Sequence, residues 1–256
     1  MSSIYLNISF AAYFLALVLY AIGLFFASRK VSGLARSFLI CGIIGLSIYI
    51  GTRWYTAARP PFSNMFESLV TFSWAIASVS LFVDLKYKIK SVSVLVTLMA
   101  LLALGYASLL DKGIEPLLPA LKSNWLTIHV ITCFIGYAAL TVAFVSSLVL
   151  ICKKKESAVL DDISYKMISF GFLFLTLGII SGAVWANSAW GTYWSWDPKE
   201  TWSLITWFIY ATYLHTRLRK GWKGKKAAWL SVAGFLAMLF TYFGVNYLLS
   251  GLHSYA

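Results

Sequence analysis

Three histidines and a dense run of indoles are the residues of this chain best suited to hold a ligand. The histidines are His129, His215 and His253. The indoles gather between Trp185 and Trp202, where Trp185, Trp190, Trp194, Trp196 and Trp202 fall within eighteen residues, beside Tyr193 and interrupted by Gly191. A membrane-boundary aromatic belt accounts for any one of them. Five so close together make a platform for a large, flat, conjugated ligand, each stacking contact contributing roughly 0.5–1.5 kcal/mol. A porphyrin is such a ligand, and two neutral imidazoles brought to its opposite faces would ligate the iron axially. Trp185, Trp190, Tyr193, Trp194, Trp196 and Trp202 thus suit the lining of a haem site, with His129 and His253 as its candidate metal ligands, although a lone interfacial histidine is more often a polar anchor.

Asp197, Pro198 and Glu200 stand in the order of an N-cap acid, a first-turn proline and a capping-box glutamate, which starts a helix directly after the platform. Asp197 is expected to act mainly as that cap, with ligand contact as its second role. His215 follows eighteen residues later, about 27 Å along a helix at 1.5 Å per residue, so it cannot serve the same iron. Two readings of it stand side by side: snorkelling next to Arg217, or ligation of a second haem iron completed by another chain.

The elements that must position these groups are membrane spans. The 256 residues are 60% hydrophobic and 12% charged, too little polar surface to coat a soluble globule. Apolar runs near 4–27, 34–52, 66–84, 92–110, 125–151, 166–186, 200–216 and 227–249 each approach the roughly 20 residues that cross about 30 Å of hydrocarbon. Backbone in hydrocarbon must satisfy its own hydrogen bonds, so these runs read as helices, and barrel-type alternation is absent. The expected fold is an all-α integral membrane protein, a bundle of about eight transmembrane helices forming a single domain over residues 1–256. Its external tryptophan-rich loop would cover about 185–202.

The net charge of +12 has a topological cause. Sixteen of the 21 basic residues fall in the odd-numbered loops, six of them between Arg217 and Lys226, while Arg53, Arg59, Lys112, Lys122 and Lys199 stand on the other side. The positive-inside rule then puts both termini, the tryptophan loop, His129 and His253 outside. No basic face with interleaved aromatics is present, which argues against nucleic acid as a partner. The first segment has neither a positive n-region nor a small-residue cleavage site and reads as a retained span. Cys41, Cys133 and Cys152 lie in or beside apolar runs with no CxxC or CxxCH spacing, so they read as packing residues, and any haem is held non-covalently or belongs to a client. Arg53, Arg59 and Lys199 are the outer cations able to meet haem propionates, although snorkelling is the favoured explanation. Glu67 suits a helix N-terminus, with its role open.

The string Trp190-Gly-Thr-Tyr-Trp-Ser-Trp-Asp-Pro-Lys-Glu-Thr-Trp202, flanked by His129 and His253, resembles the CcsA/ResC family of System II cytochrome c synthases. The haem-handling proteins CcmC and CcmF also carry tryptophan-rich WWD loops, but the continuation Asp197-Pro198-Lys199-Glu200-Thr201-Trp202 is most similar to CcsA. The stretches Pro60-Pro61-Phe62-Ser63-Asn64-Met65-Phe66-Glu67-Ser68 and Asn124-Trp125-Leu126-Thr127-Ile128-His129 agree with it.

The resemblance implies that His129 and His253 ligate haem b against the loop and are the residues on which the chemistry turns, that His215 takes part in a transmembrane haem site, and that a CcsB/ResB partner completes the synthase. It implies a multi-pass protein of the bacterial cytoplasmic membrane, or of the thylakoid if plastid-encoded. There the family joins the vinyl groups of reduced haem to the thiols of a CxxCH motif in an exported apocytochrome c, work of positioning and redox protection. Unlike fused members, this chain lacks the CcsB portion. Two alternatives are a haem exporter or loader of the CcmC type without ligation activity, and a b-type electron-transfer subunit using the same ligands.

Overall fold

The computed structural model describes residues 2–26, 28–153 and 157–249. His253 lies outside the described residues, as do Lys154 and Lys155. Among the described residues there are no strands. The helices are α1 (Ser2–Phe26), α2 (Arg29–Ala57), α3 (Met65–Tyr87), α4 (Lys90–Ser108), α5 (Asn124–Cys152), α6 (Ala158–Trp190), α7 (Pro198–Lys220), α8 (Gly224–Leu239) and α9 (Val245–Leu248). A 3-10 turn, Pro119–Leu121, precedes α5, and a π-helical turn, Phe240–Gly244, joins α8 to α9 without a break.

Among the described residues, seven helical stretches, the last running from Gly224 to Leu248, are both long and apolar enough to cross a bilayer. The remaining helix, α7, has 23 residues, about 34 Å at 1.5 Å per residue, so its length suffices. Its Lys, Glu, His and Arg residues near the two ends, with its Trp, Tyr and Thr content, make it the least apolar. Most helices outrun the apolar runs that announce them: α6 extends from 158 to 190 where hydropathy marks 166 to 186, because polar first and last turns can continue a helix into the headgroup layer.

The chain gathers into two compact units, Met1–Pro116 and Leu117–Ala256. In the first, α1 packs on α2 and α4, and α3 on α4 and α2, a closed ring of four. One carboxylate ties all four helices together. Asp84 of α3 accepts from Arg36 of α2 through Nε at 2.9 Å and Nη2 at 2.8 Å, from Tyr20 Oη of α1 at 3.2 Å and from Ser93 Oγ of α4 at 2.6 Å.

At the other end of this unit Glu67 is fully buried between two arginines. Arg53 Nε donates to its Oε1 at 2.8 Å, and Arg59 Nη1 to its Oε2 at 3.0 Å, with Ser63 N–H adding a bond at 2.9 Å. The spare guanidinium donors reach the carbonyls of Lys112, Gly113 and Glu115. Snorkelling does not describe these arginines, whose exposures are 6% and 7%. They face inward because a buried carboxylate and three loop carbonyls match their donors. Glu67 thereby gains a role, pinning segment 112–115 to the α2–α3 connection.

In the second unit α5 packs on α6 and α8, and α7 on α8 and α6. Asp161 at the start of α6 receives Arg217 of α7 through two bonds of 2.7 Å and the Gly224 N–H that opens α8 at 2.9 Å. This pin fixes the end of the unit opposite the tryptophan loop.

Candidate functional site

The candidate site is built where α5 begins and α6 ends. Antiparallel helices approach this closely only where side chains are small. A Cβ placed on Gly178 would lie 2.6 Å from Cys133 Sγ, and one on Gly182 would lie 2.6 Å from His129 Nδ1. The imidazole of His129 fits into that clearance, and its Nδ1 lies 2.7 Å from the Gly178 carbonyl oxygen. A carbonyl only accepts, so Nδ1 carries the proton and Nε2 carries the acceptor lone pair of the neutral ring. Trp185, one turn beyond Gly182, places its ring centroid 6.2 Å from the imidazole with the planes 21° apart.

The expected loop of 185–202 is shorter in the structure. Residues 185–190 continue α6 and residues 198–202 belong to α7, leaving 191–197 as the connection. Gly191 ends α6 in the left-handed region at φ 78° and donates its N–H to the Asn187 carbonyl at 2.9 Å, a C-cap for which glycine is suited. Trp185 is correspondingly buried at 4% exposure and donates Nε1–H to the Ala120 carbonyl at 2.8 Å. It meets Trp190 edge-on, centroids 4.8 Å apart.

Past Gly191, Trp194 and Trp196 pair edge to face at 5.8 Å. Tyr193 and Trp196 are exposed, Trp196 at 68%. Trp196 has φ 61°, a conformation costing a bulky residue roughly 1–3 kcal/mol. The residues on either side hold it there: the Glu200 carboxylate accepts from the N–H groups of Ser195 at 2.8 Å and Asp197 at 3.2 Å. Asp197, buried, accepts from Lys199 N–H at 3.0 Å and also from the Glu200 N–H, which completes the expected capping box with Pro198 in the first turn.

Trp202 turns away from the other indoles and packs on Phe240 of the π turn, centroids 4.2 Å apart. Gly244 makes that possible, because a Cβ there would come within 2.5 Å of the Phe240 ring. Lys199 donates from Nζ to Asn246 Oδ1 at 2.8 Å, and Asn246 Nδ2 donates to the Tyr242 carbonyl at 2.6 Å. The start of α7 is thus tied to the end of the segment that leads toward His253.

The structure therefore brings His129, Trp185 and Trp190 together, sets Tyr193, Trp194 and Trp196 on the connecting loop, and directs Trp202 to the π turn. His215 is exposed near the far end of the unbroken helix α7, well separated from Asp197 at its start. The sequence reading missed Gly178, Gly182, Asn246 and Phe240. Only the glycines left a trace, as two small residues four apart inside an apolar run.

Fold and site together define a polytopic helical membrane protein with a histidine- and tryptophan-bearing end. The family model described as Cytochrome C assembly protein matches residues 62–253. The Cytochrome c biogenesis protein CcsA of Guillardia theta is 37% identical, covering 97% of this chain and 94% of its own length. Those of Trieres chinensis and Prochlorococcus marinus are each 38% identical and cover 97% and 94% of this chain. Among solved structures, Cytochrome c Heme Lyase CcmF superposes with a TM-score of 0.77 at 16% identity, over 94% of this chain and 46% of that one. This chain spans about half the length of that structure, and the likeness is one of fold. The chain belongs to the CcsA family of cytochrome c assembly proteins. It is a multi-pass membrane protein with a role in cytochrome c maturation.

Proposed function

We propose that this chain is the membrane subunit of a cytochrome c synthase that receives haem at its outer face and positions it for attachment to CxxCH apocytochromes. Haem b is the substrate. His129 and His253 hold its iron, the tryptophan loop lies against the macrocycle, and a CcsB/ResB-like partner completes the enzyme. Each client cysteine adds its S–H across one vinyl group, forming a C–S bond with no leaving group. The chain's own residues then need only orient haem and exclude oxidants. The single observation that carries the reading is the Nδ1–H bond from His129 to the Gly178 carbonyl, since iron- and zinc-bound histidines characteristically donate their other N–H to a carbonyl or carboxylate.

The asymmetry of basic loops supports placing both termini and the tryptophan loop outside the bacterial cytoplasmic membrane or its thylakoid counterpart. His215, about 27 Å from Asp197 along a helix, suits a separate haem position completed by the partner, on a path from the inner leaflet. The 256 residues would work as one transmembrane domain.

The test is co-expression with a ResB-like partner and a CxxCH client. Covalently haem-stained client should accumulate with the wild-type chain and be lost with His129→Ala or His253→Ala. Haem bound to the chain without any thioether product, under those conditions, would instead identify a haem loader.

A further inference from the structure

We infer that Gly178 and Gly182 of α6 are positioning residues for His129, fixing which imidazole nitrogen faces the iron and the plane in which the ring is presented. The inference rests on the reading of His129 as a haem ligand.

Two features on one face of α6 act on the same ring. The Gly178 carbonyl takes the Nδ1 proton at 2.7 Å, which leaves Nε2 as the coordinating nitrogen. At Gly182 the missing side chain is the space that the ring occupies, with Nδ1 at 2.6 Å and Cε1 at 2.8 Å from the position of an added Cβ. Real Cβ atoms do not tolerate such separations, so an alanine must displace the imidazole. Trp185 restricts where it goes, because its indole lies nearly parallel to the imidazole and is itself held by the Ala120 carbonyl. A histidine near a helix start can otherwise rotate about two side-chain torsions and present either nitrogen. Here the neighbouring helix removes that freedom before haem arrives, and preorganisation of this kind strengthens ligation without any further contact to the ligand.

Gly171, further back on the same helix, provides a control. A Cβ at that position meets the Leu140 side chain at 2.9 Å and the Gly136 carbonyl at 3.1 Å, about three turns from Gly182. Gly171→Ala therefore fills the same helix interface without touching the imidazole.

The experiment titrates haem b under reducing conditions into the purified full chain and follows its absorption spectrum. Wild type and Gly171→Ala should give the six-coordinate low-spin spectrum. Gly182→Ala should give a largely five-coordinate high-spin spectrum and bind haem about tenfold or more weakly, the scale on which the partners of metal ligands act. Low-spin haem at wild-type affinity in Gly182→Ala overturns the inference, as does an equal loss in the Gly171→Ala control. Should Gly182→Ala fail to accumulate, nitrogen NMR of the haem-free wild type, with His129 assigned by its loss in His129→Gln, decides the matter. An Nδ1-protonated ring supports the inference and an Nε2-protonated ring overturns it. If His129→Ala itself leaves the haem spectrum unchanged, the ligand reading fails, a result distinct from any of these.

Discussion

Replacing Glu200 with alanine should release the tryptophan loop. Its carboxylate accepts from Ser195 N–H at 2.8 Å, Asp197 N–H at 3.2 Å and Ser195 Oγ at 3.3 Å. A hydrogen bond to a charged group contributes roughly 1.5–3 kcal/mol, and water takes over part of that at the exposed Ser195. A combined loss of about 2 kcal/mol matches the roughly 1–3 kcal/mol that the left-handed Trp196 backbone costs. The clamp and the strain therefore nearly balance, and removing the clamp should let the loop open. At about 1.4 kcal/mol per factor of ten, amide hydrogen exchange across residues 194–197 should accelerate about thirtyfold. Peptide-level exchange on the detergent-purified chain measures this directly, with peptides from α3 as an internal reference. Glu200→Gln, which keeps one acceptor oxygen, should fall between. Adding Trp196→Gly to Glu200→Ala should restore slow exchange, since glycine occupies that backbone region without strain. Exchange of the loop within twofold of wild type in Glu200→Ala would refute the argument that the Glu200 bonds hold Trp196 in place.

Glu67→Ala should destabilise the first unit by about 3–5 kcal/mol, because it leaves two buried guanidiniums without their shared carboxylate; thermal unfolding in detergent reads the loss, and proteolysis should appear first in segment 112–115. Asp84→Asn should cost about 3 kcal/mol by the same logic, with Tyr20→Phe, which removes the longest bond, costing about 1.5 kcal/mol, and an effect of Tyr20→Phe larger than that of Asp84→Asn would contradict the hierarchy of bonds on Asp84. His215→Ala should leave the spectrum of haem bound through His129 unchanged, since the two sites stand roughly 27 Å apart along α7 and the loop end; a shifted spectrum would place His215 in the same ligand set.

What could be read from residues alone was whatever is local in the chain. Apolar run length located the spans, and the Asp197-Pro198-Glu200 order located the start of α7 with its capping box, because both depend on neighbours a few residues apart. Helix ends were less legible. The indole of Trp185 was expected on a loop, yet α6 continues five residues past it, as nothing before Gly191 stops a helix. Long-range pairing left no local signature. His129 meets a carbonyl 49 positions away, Lys199 meets Asn246 47 positions away, and Arg53 reaches Gly113 across 60. The outward placement expected for Arg53 and Arg59 failed for the same reason. A charged residue next to an apolar run looks identical whether it reaches the headgroups or a buried carboxylate, and Glu67 announces neither choice.

The π turn at Phe240–Gly244 works as a registration device. A π turn holds one residue more than an α turn, and each residue advances a regular helix by about 100°. The residues of α9 are consequently swung about 100° from where an uninterrupted α8 would carry them. That offset aims Asn246 at the Lys199 ammonium. Shortening the turn by one residue would swing Asn246 onto a neighbouring face and break its bond to Lys199, so the bearing of Val245–Leu248 is set by a single surplus amino acid in a helix that otherwise looks continuous.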